Sequence, residues 1–365
     1  MAYSIPPHYQ RIYDWTKEKA IRYATPGDLS FLFLTDLHID YRDMADHVIP
    51  QCETAVELAR GTKVDCIILG GDLLHGTSSY NDSLRYLKHF VQIFNKAEIP
   101  VFAVHGNHDD NPYHSVVTPY DPSKVPLEYL ISSKVWTEHM ILPLTRGCSV
   151  HDSKNPYSSY YYADFPQQHI RLIVMDTFDF PHEKNGGFSK YTSESWNRLS
   201  DRQIQWLVEE AVDDQKAGWR YLICSHGILD QRMKMQPFQN YPEVLSLYTA
   251  MNNREIYENT RLHLKKDFGN ALACAPLHLY GHTHLDSYNR YPNEKMLMMG
   301  TGNCKMGIYP LDGCNPDFIA SPAREKGTET EPLFDLYRIE KASIIHRIRF
   351  GAGIDQHLDF SEYCK

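Results

Sequence analysis

The chain is short of several things, and each shortage removes a class of protein. No stretch approaches the roughly 18–20 consecutive apolar residues that a membrane span requires. Residues 1–23 are polar, carry Lys17, Glu18, Lys19 and Arg22, and lack the apolar segment of a secretory leader. Basic residues are in deficit: 37 Lys and Arg stand against 46 Asp and Glu, a formal net charge of −9 over 365 residues. That balance argues against a long nucleic-acid footprint, because phosphate contacts need clustered Lys and Arg. It leaves room for a small phosphorylated ligand, since a metal site brings its own positive charge. The eight cysteines are scattered singly and form no CxxC pair. Cys66 and Cys224 lie inside apolar runs and read as buried thiols. The length is enough to bury a full core without disulfide staples. Together these features lead to the expectation of a cytoplasmic protein in a reducing compartment. There is no internal repeat and no low-complexity tract.

What is present is an alternation of short apolar runs and amphipathic segments. Residues 8–23 read as a surface helix, and residues 1–27 as an N-terminal helical extension to a domain covering 28–365. Phe31-Leu32-Phe33-Leu34 reads as a buried strand after the break at Pro26-Gly27-Asp28. Val48, Cys52, Ala55, Val56 and Ala59 then mark one face of a helix. Further strands are expected at 64–69 and 100–104, with a helix between them carrying Leu84, Leu87, Val91 and Phe94. This is an α/β pattern, and taken alone it suggests a doubly wound sheet. Downstream, strands are expected at 160–165, 170–176, 219–225, 277–280 and 296–299. A hairpin over 334–350 turns near Lys341. Ser200 and Gln203 form the capping box of a helix over 202–216. Two stretches of weak periodicity, about 111–158 and 232–262, read as cap insertions.

Five polar clusters stand where apolar runs end: Asp36-Leu37-His38, Gly70-Gly71-Asp72, Gly106-Asn107-His108-Asp109, His226-Gly227 and Gly281-His282-Thr283-His284. The first three are spaced by one strand-helix-strand unit each. Parallel strands would therefore deliver them to one sheet edge, where α/β folds place ligands. Carboxylate, imidazole and amide oxygen without thiolate is a donor set for hard to borderline metals. Two such ions about 3.5–4 Å apart can acidify a water between them and clamp phosphoryl oxygens.

The order Asp-x-His, Gly-Asp, Gly-Asn-His-Asp, His, Gly-His-x-His resembles the calcineurin-like metallophosphoesterase superfamily over residues 36–284. The resemblance implies a two-sheet β-sandwich flanked by helices, which replaces the doubly wound expectation. It implies two divalent or trivalent ions, Mn, Fe or Zn. Asp36, His38 and His284 would hold the first ion, Asn107, His226 and His282 the second, and Asp72 would bridge. His108 would act on the leaving oxygen and Asp109 would orient it. The implied activity is hydrolysis of a mono- or diester, with a small phosphorylated molecule as substrate and a metal-bridging hydroxide as nucleophile. His105 stands where the family often has proline.

Blander readings compete at individual positions. His75 and His105 read as structural. Tyr157, Tyr160, Tyr161 and Tyr162 read as strand and core residues, and Met233, Met235, Tyr241, Tyr248 and Met251 as cap core. Two other functions stay open: a DNA nuclease of the same superfamily, suggested by Gly71-Asp72-Leu73-Leu74-His75, and a metal-free interaction scaffold.

Overall fold

Runs such as Leu32–Leu34 and Ile67–Leu69 are apolar at every position because both faces of their strands are covered. In the sheet built around Leu29–Leu34, every residue of that strand is buried. The computed structural model describes residues 2–39, 45–113, 121–193, 198–229, 240–307, 318–319 and 323–364. Among them are two main sheets of six and eight strands. The fold is a mixed α/β sandwich of the kind the resemblance implies.

In the first sheet Leu29–Leu34, Cys66–Leu69 and Val101–Ala103 run parallel. Antiparallel Leu333–Ile339, Ile344–Gly351 and Gln356–Asp359 extend it on the other side. In the second sheet Ile170–Val174, Arg220–Cys224, Cys274–Tyr280 and Met296–Gly300 are mutually parallel neighbours. Leu222, Cys224, Leu277, Leu279, Leu172 and Val174 join the core shared with the first sheet. The alternate residues Tyr221, Ile223 and Ile173 join a second core under outer helices. Strand alternation thus assigns each residue to one of two apolar interiors.

Helices cover the outside. Ala45–Thr62 lies against the first sheet and Tyr80–Phe94 packs beside it, the latter capped by Ser79, whose hydroxyl accepts from Asp82 N. The N-terminal helix Gln10–Arg22 buries Ile12, Thr16 and Ala20 against Ile344–Gly351 and Ala45–Thr62. Residues 111–158 are not only loop: Ser133–Leu144 forms helical turns whose Trp136, Met140, Ile141 and Leu144 enter the main core. Within 232–262, Tyr241–Asn253 is a helix whose Tyr241, Val244, Leu247, Tyr248 and Met251 pack in the second core. Met233 and Met235 lie outside the described residues.

Two sequence expectations need correction. The helix expected over 202–216 ends at Ala211, because Val212 turns extended and Lys266 Nζ takes the terminal carbonyls of Val208 and Val212. Ser200 caps it through Gln203 N, but the Gln203 side chain bonds the backbone of Asp176 instead of closing the box. The cysteines are not all thiols either. Cys274, at the start of its strand, is disulfide-bonded to Cys364 in the C-terminal turn Ser361–Cys364, with Cα atoms 5.7 Å apart. A pair separated by 90 residues carries no spacing signature, so only the fold could bring it out. No helix among the described residues is long and apolar enough to cross a membrane.

A buried charge network pins the sheets together. Asp286 of the second sheet meets Arg347 and Arg349 of the first, and Asp335 accepts from both guanidinium Nε atoms at 2.8 and 2.7 Å. Burial alone would raise the Asp286 pKa, but the two guanidinium groups hold it well below the ordinary carboxylate range. Removing one member leaves a buried charge uncompensated. Asp286→Ala is expected to lower stability by about 3–5 kcal/mol, read as a fall in the urea unfolding midpoint. An unchanged midpoint would show that the network contributes nothing to sheet packing.

Candidate metal centre

The C-terminal ends of five parallel strands meet at one rim. Leu29–Leu34, Cys66–Leu69 and Val101–Ala103 deliver Asp36, His38, Asp72, Asn107 and His108 from the first sheet. Arg220–Cys224 and Cys274–Tyr280 deliver His226, His282 and His284 from the second. The chain turns sharply as it leaves each strand. Asp36, His38, Asp72, His282 and His284 all hold left-handed backbone, with φ between 43° and 66°. Such residues cost about 1–2 kcal/mol each unless their surroundings hold them. Here Leu37 N and His38 N donate to the carbonyl of Asp72, and Lys305 N to that of Asp36. A Cβ on Gly106 would fall on the Asp72 carboxylate, so only glycine lets the third strand's turn approach.

Two groups of potential ligands lie within 4.8 Å, and Asp72 belongs to both: Asp36, His38, Asp72 and His284 in one, Asp72, His226 and His282 in the other. Asp72 Oδ2 stands 3.0 Å from His226 Nε2, 3.7 Å from His38 Nε2 and 3.8 Å from His108 Nε2. Asp36 Oδ1 stands 3.2 Å from His284 Nε2 and 3.8 Å from His226 Nε2.

Each carboxylate divides its work. Asp72 Oδ1 accepts from His108 N at 2.9 Å, while Oδ2 faces the rings. Asp36 Oδ2 accepts from the Thr35 hydroxyl at 2.8 Å and from His282 N at 3.2 Å, while Oδ1 faces the rings. The rings are oriented in the same way. His226 Nδ1 is 2.8 Å from the carbonyl of Gly70, so it carries the proton and donates. That aims Nε2 inward. His38 Nδ1 lies 3.1 Å from His75 Nδ1, which likewise leaves its Nε2 facing the carboxylates.

The atoms left over test whether a metal fits. Asp36 Oδ1, His38 Nε2, Asn107 Oδ1 and His226 Nε2 are buried without a hydrogen-bond partner. Buried polar atoms are nearly always satisfied. Four orphans converging on one rim, all lone-pair donors of carboxylate, amide or imidazole type, are what a cation would complete. The ordering of proton affinities agrees. Burial, then the His108 charge, pushes the His38 pKa well below normal, and burial with the His226 charge pushes His282 down to about 3. Both rings therefore present free lone pairs at neutral pH. At His226 burial is outweighed by Asp72 and Asp36, which push it up to about 9. Burial would raise the Asp72 pKa, but His226, His108 and His38 together hold it well below normal.

Two residues behave otherwise than the sequence suggests. Asp109 does not touch the His108 ring: its oxygens accept from Leu74 N at 3.0 Å and Gly106 N at 2.9 Å, so it locks the two turns together. His108 is oriented by the carbonyl of His75, 2.7 Å from its Nδ1. His75, read as structural, lies inside the site. It forms a third close group with His38 and His108 and stacks on His108 at 5.0 Å. The signal that could have found it is its position three residues after Asp72, ahead of Gly76 in a turn. His105 is a buried partner of Asp176 at 3.3 Å, behind the site.

Residues 29–292 match the family model of calcineurin-like phosphoesterases. The chain belongs to the calcineurin-like phosphoesterase family. Among solved structures it is similar to a dimetal phosphatase from Danio rerio, at 16% identity and a TM-score of 0.59, covering 91% of this chain and 99% of that one. A phosphopantetheinyl hydrolase from Mycobacterium tuberculosis matches at 15% identity and a TM-score of 0.39, over 76% of this chain and 91% of the other.

Metal binding at this rim has a definite pH dependence. A metal that takes the lone pair of His226 Nε2 must displace the proton held there with a pKa of about 9. Adding Mn²⁺ to metal-free protein at pH 7 is expected to release protons, and apparent affinity is expected to rise with pH and level off above about 9. Titration in weakly buffered indicator solution measures both. Binding without proton release would mean that His226 is not displaced.

Proposed function

We propose that the protein hydrolyses phosphate esters of small molecules at a centre of two metal ions. Asp36, His38 and His284 would hold one ion, and Asn107, His226 and His282 the other. Asp72 would be shared between them, and Mn, Fe or Zn suits the donor set. The observation that carries this reading is the sharing of Asp72 between two adjacent ligand groups, beside the four inward atoms Asp36 Oδ1, His38 Nε2, Asn107 Oδ1 and His226 Nε2 that have no hydrogen-bond partner. Metals held there supply Lewis acidity toward phosphoryl oxygens and an acidified water.

The chain's own residues do the rest. His108 is partly exposed, at 16% of its side chain, with Nδ1 tied to the His75 carbonyl. Its Nε2 is therefore the atom that meets the substrate, and in the protonated ring it donates to the leaving oxygen. His75 fixes the plane of that ring through its carbonyl and by stacking. Tyr113 packs on His108 at 4.6 Å, and Phe178 on His282 at 5.8 Å, so aromatic walls flank the rim on both sides. The acidic balance of the chain favours a small phosphorylated substrate over nucleic acid.

Two substitutions separate binding from chemistry. Asp72→Ala is expected to abolish hydrolysis of an aryl phosphate and to lose metal, measured by elemental analysis of the purified protein. His108→Ala is expected to keep its metal and lose activity by about 10²–10⁴-fold. Full activity in Asp72→Ala would defeat the proposal. Running aryl phosphate monoester and diester side by side, with nucleotides, cyclic nucleotides, phospholipids and sugar phosphates, assigns the substrate class.

A further inference from the structure

The edge of the sandwich opposite the metal rim carries a cavity of about 380 Å³. Gln168-His169, Trp219-Arg220 and Ala273-Cys274 line it, where three parallel strands of the second sheet begin. Lys341 and Ser343, in the turn between Leu333–Ile339 and Ile344–Gly351 of the first sheet, complete it, with Arg254 from the end of the helix Tyr241–Asn253. Arg220 opens the strand Arg220–Cys224, and His226 follows its far end, about 20 Å away at the rise of an extended chain. The cavity therefore shares no residue with the metal centre.

Among the described residues its lining holds Arg220, Arg254 and Lys341 and no Asp or Glu. Arg220 is 7% exposed. Its Nη1 donates to the carbonyl of Glu340 at 2.7 Å and to Ser343 Oγ at 3.3 Å. Arg254 Nη1 donates to the carbonyls of Met251 and Ala273 at 2.6 and 2.9 Å. Lys341 is exposed at the mouth. Among the described residues none of the three pairs with a carboxylate. The Glu340 carboxylate, next to Lys341 in the chain, is engaged by His346 at 2.6 Å. Burial lowers the Arg220 pKa, with no acid nearby to offset it. A guanidinium buried among neutral acceptors is costly, and the cost is removed by an anion. In a chain with a surplus of acids, three cations left without acidic partners around one hollow are not explained by general charge balance.

We propose that this cavity is a second, non-catalytic binding site for a phosphate-type oxyanion, either inorganic phosphate or the phosphate group of a small molecule. The Arg220 guanidinium is the buried anchor, since its planar fork suits a tetrahedral oxyanion. Arg254 and Lys341 add charge at the wall and the mouth. The ligand contacts both sheets, through Arg220 on one side and Lys341 on the other.

Equilibrium dialysis of the metal-loaded protein with inorganic phosphate is the test. Two phosphates per chain are expected in the native protein, one at the metals and one here. Lys341→Glu, an exposed reversal that leaves the core intact, and Arg220→Gln, which keeps an amide donor, are each expected to lose one of the two. Binding here should weaken at least tenfold while hydrolysis of an aryl phosphate stays within about twofold. Equal phosphate stoichiometry in the native protein and both variants overturns the proposal, whether or not the metal centre holds a phosphate of its own. Methylphosphonate and a longer phosphonate, run in parallel, distinguish the two sources. Tighter binding of the longer compound marks an organic phosphate, and tighter binding of inorganic phosphate marks the free ion.

Discussion

Asp36 and Asp72 place two buried carboxylates under a ring of imidazoles, and the structure is arranged around the inward atoms, such as Asp36 Oδ1 and His226 Nε2, that this leaves unbonded. Each carboxylate is half-satisfied by the protein, which fixes its direction and leaves one oxygen to the centre. The outer nitrogens of His226 and His38 are tied to protein neighbours, which turns their Nε2 atoms inward. The left-handed backbone at five of these residues is costly in a chain that could relax. The surrounding sandwich, pinned by the Asp286, Arg347, Arg349 and Asp335 network, does not let it relax.

Strand direction explains why distant residues meet. Within each sheet the site-bearing strands are parallel, so their C-terminal ends share an edge and their beginnings share the opposite one. One edge gathers short side chains on tight turns and becomes rich in lone pairs. The other gathers Arg220, Lys341 and the Cys274–Cys364 link. The same strands thus separate an electron-donating rim from a cationic one.

Much of this was legible in the residues themselves. Fully apolar runs identified the buried strands to within a few residues, since a strand covered on both faces has no polar position to blur it. The five clusters were visible because each follows such a run. Which sheet a strand joins was not legible, because pairing depends on partners far along the chain. The end of the helix at Ala211 was hidden for the same reason: the Lys266 ammonium that stops it arrives from a later hairpin. Asp109 shows a subtler limit. Its type and position fit a residue that orients an imidazole, but two backbone N–H groups lie closer to its oxygens, and a carboxylate follows the nearest donors. His75 was undervalued because its part in the site is played by a carbonyl as much as by its ring.

The contact between His226 and the Gly70 carbonyl joins a side chain of one sheet to the main chain of the other. It makes the gap between the layers act like the jaws of a calliper. Sliding one layer along the other by a single residue, about 3.3 Å, would carry His226 away from the carbonyl that aims it and from Asp72 together. Swapping apolar groups between the layers is therefore tolerable only while their alignment is kept, so the interior serves as a gauge block for a rim that it does not itself reach.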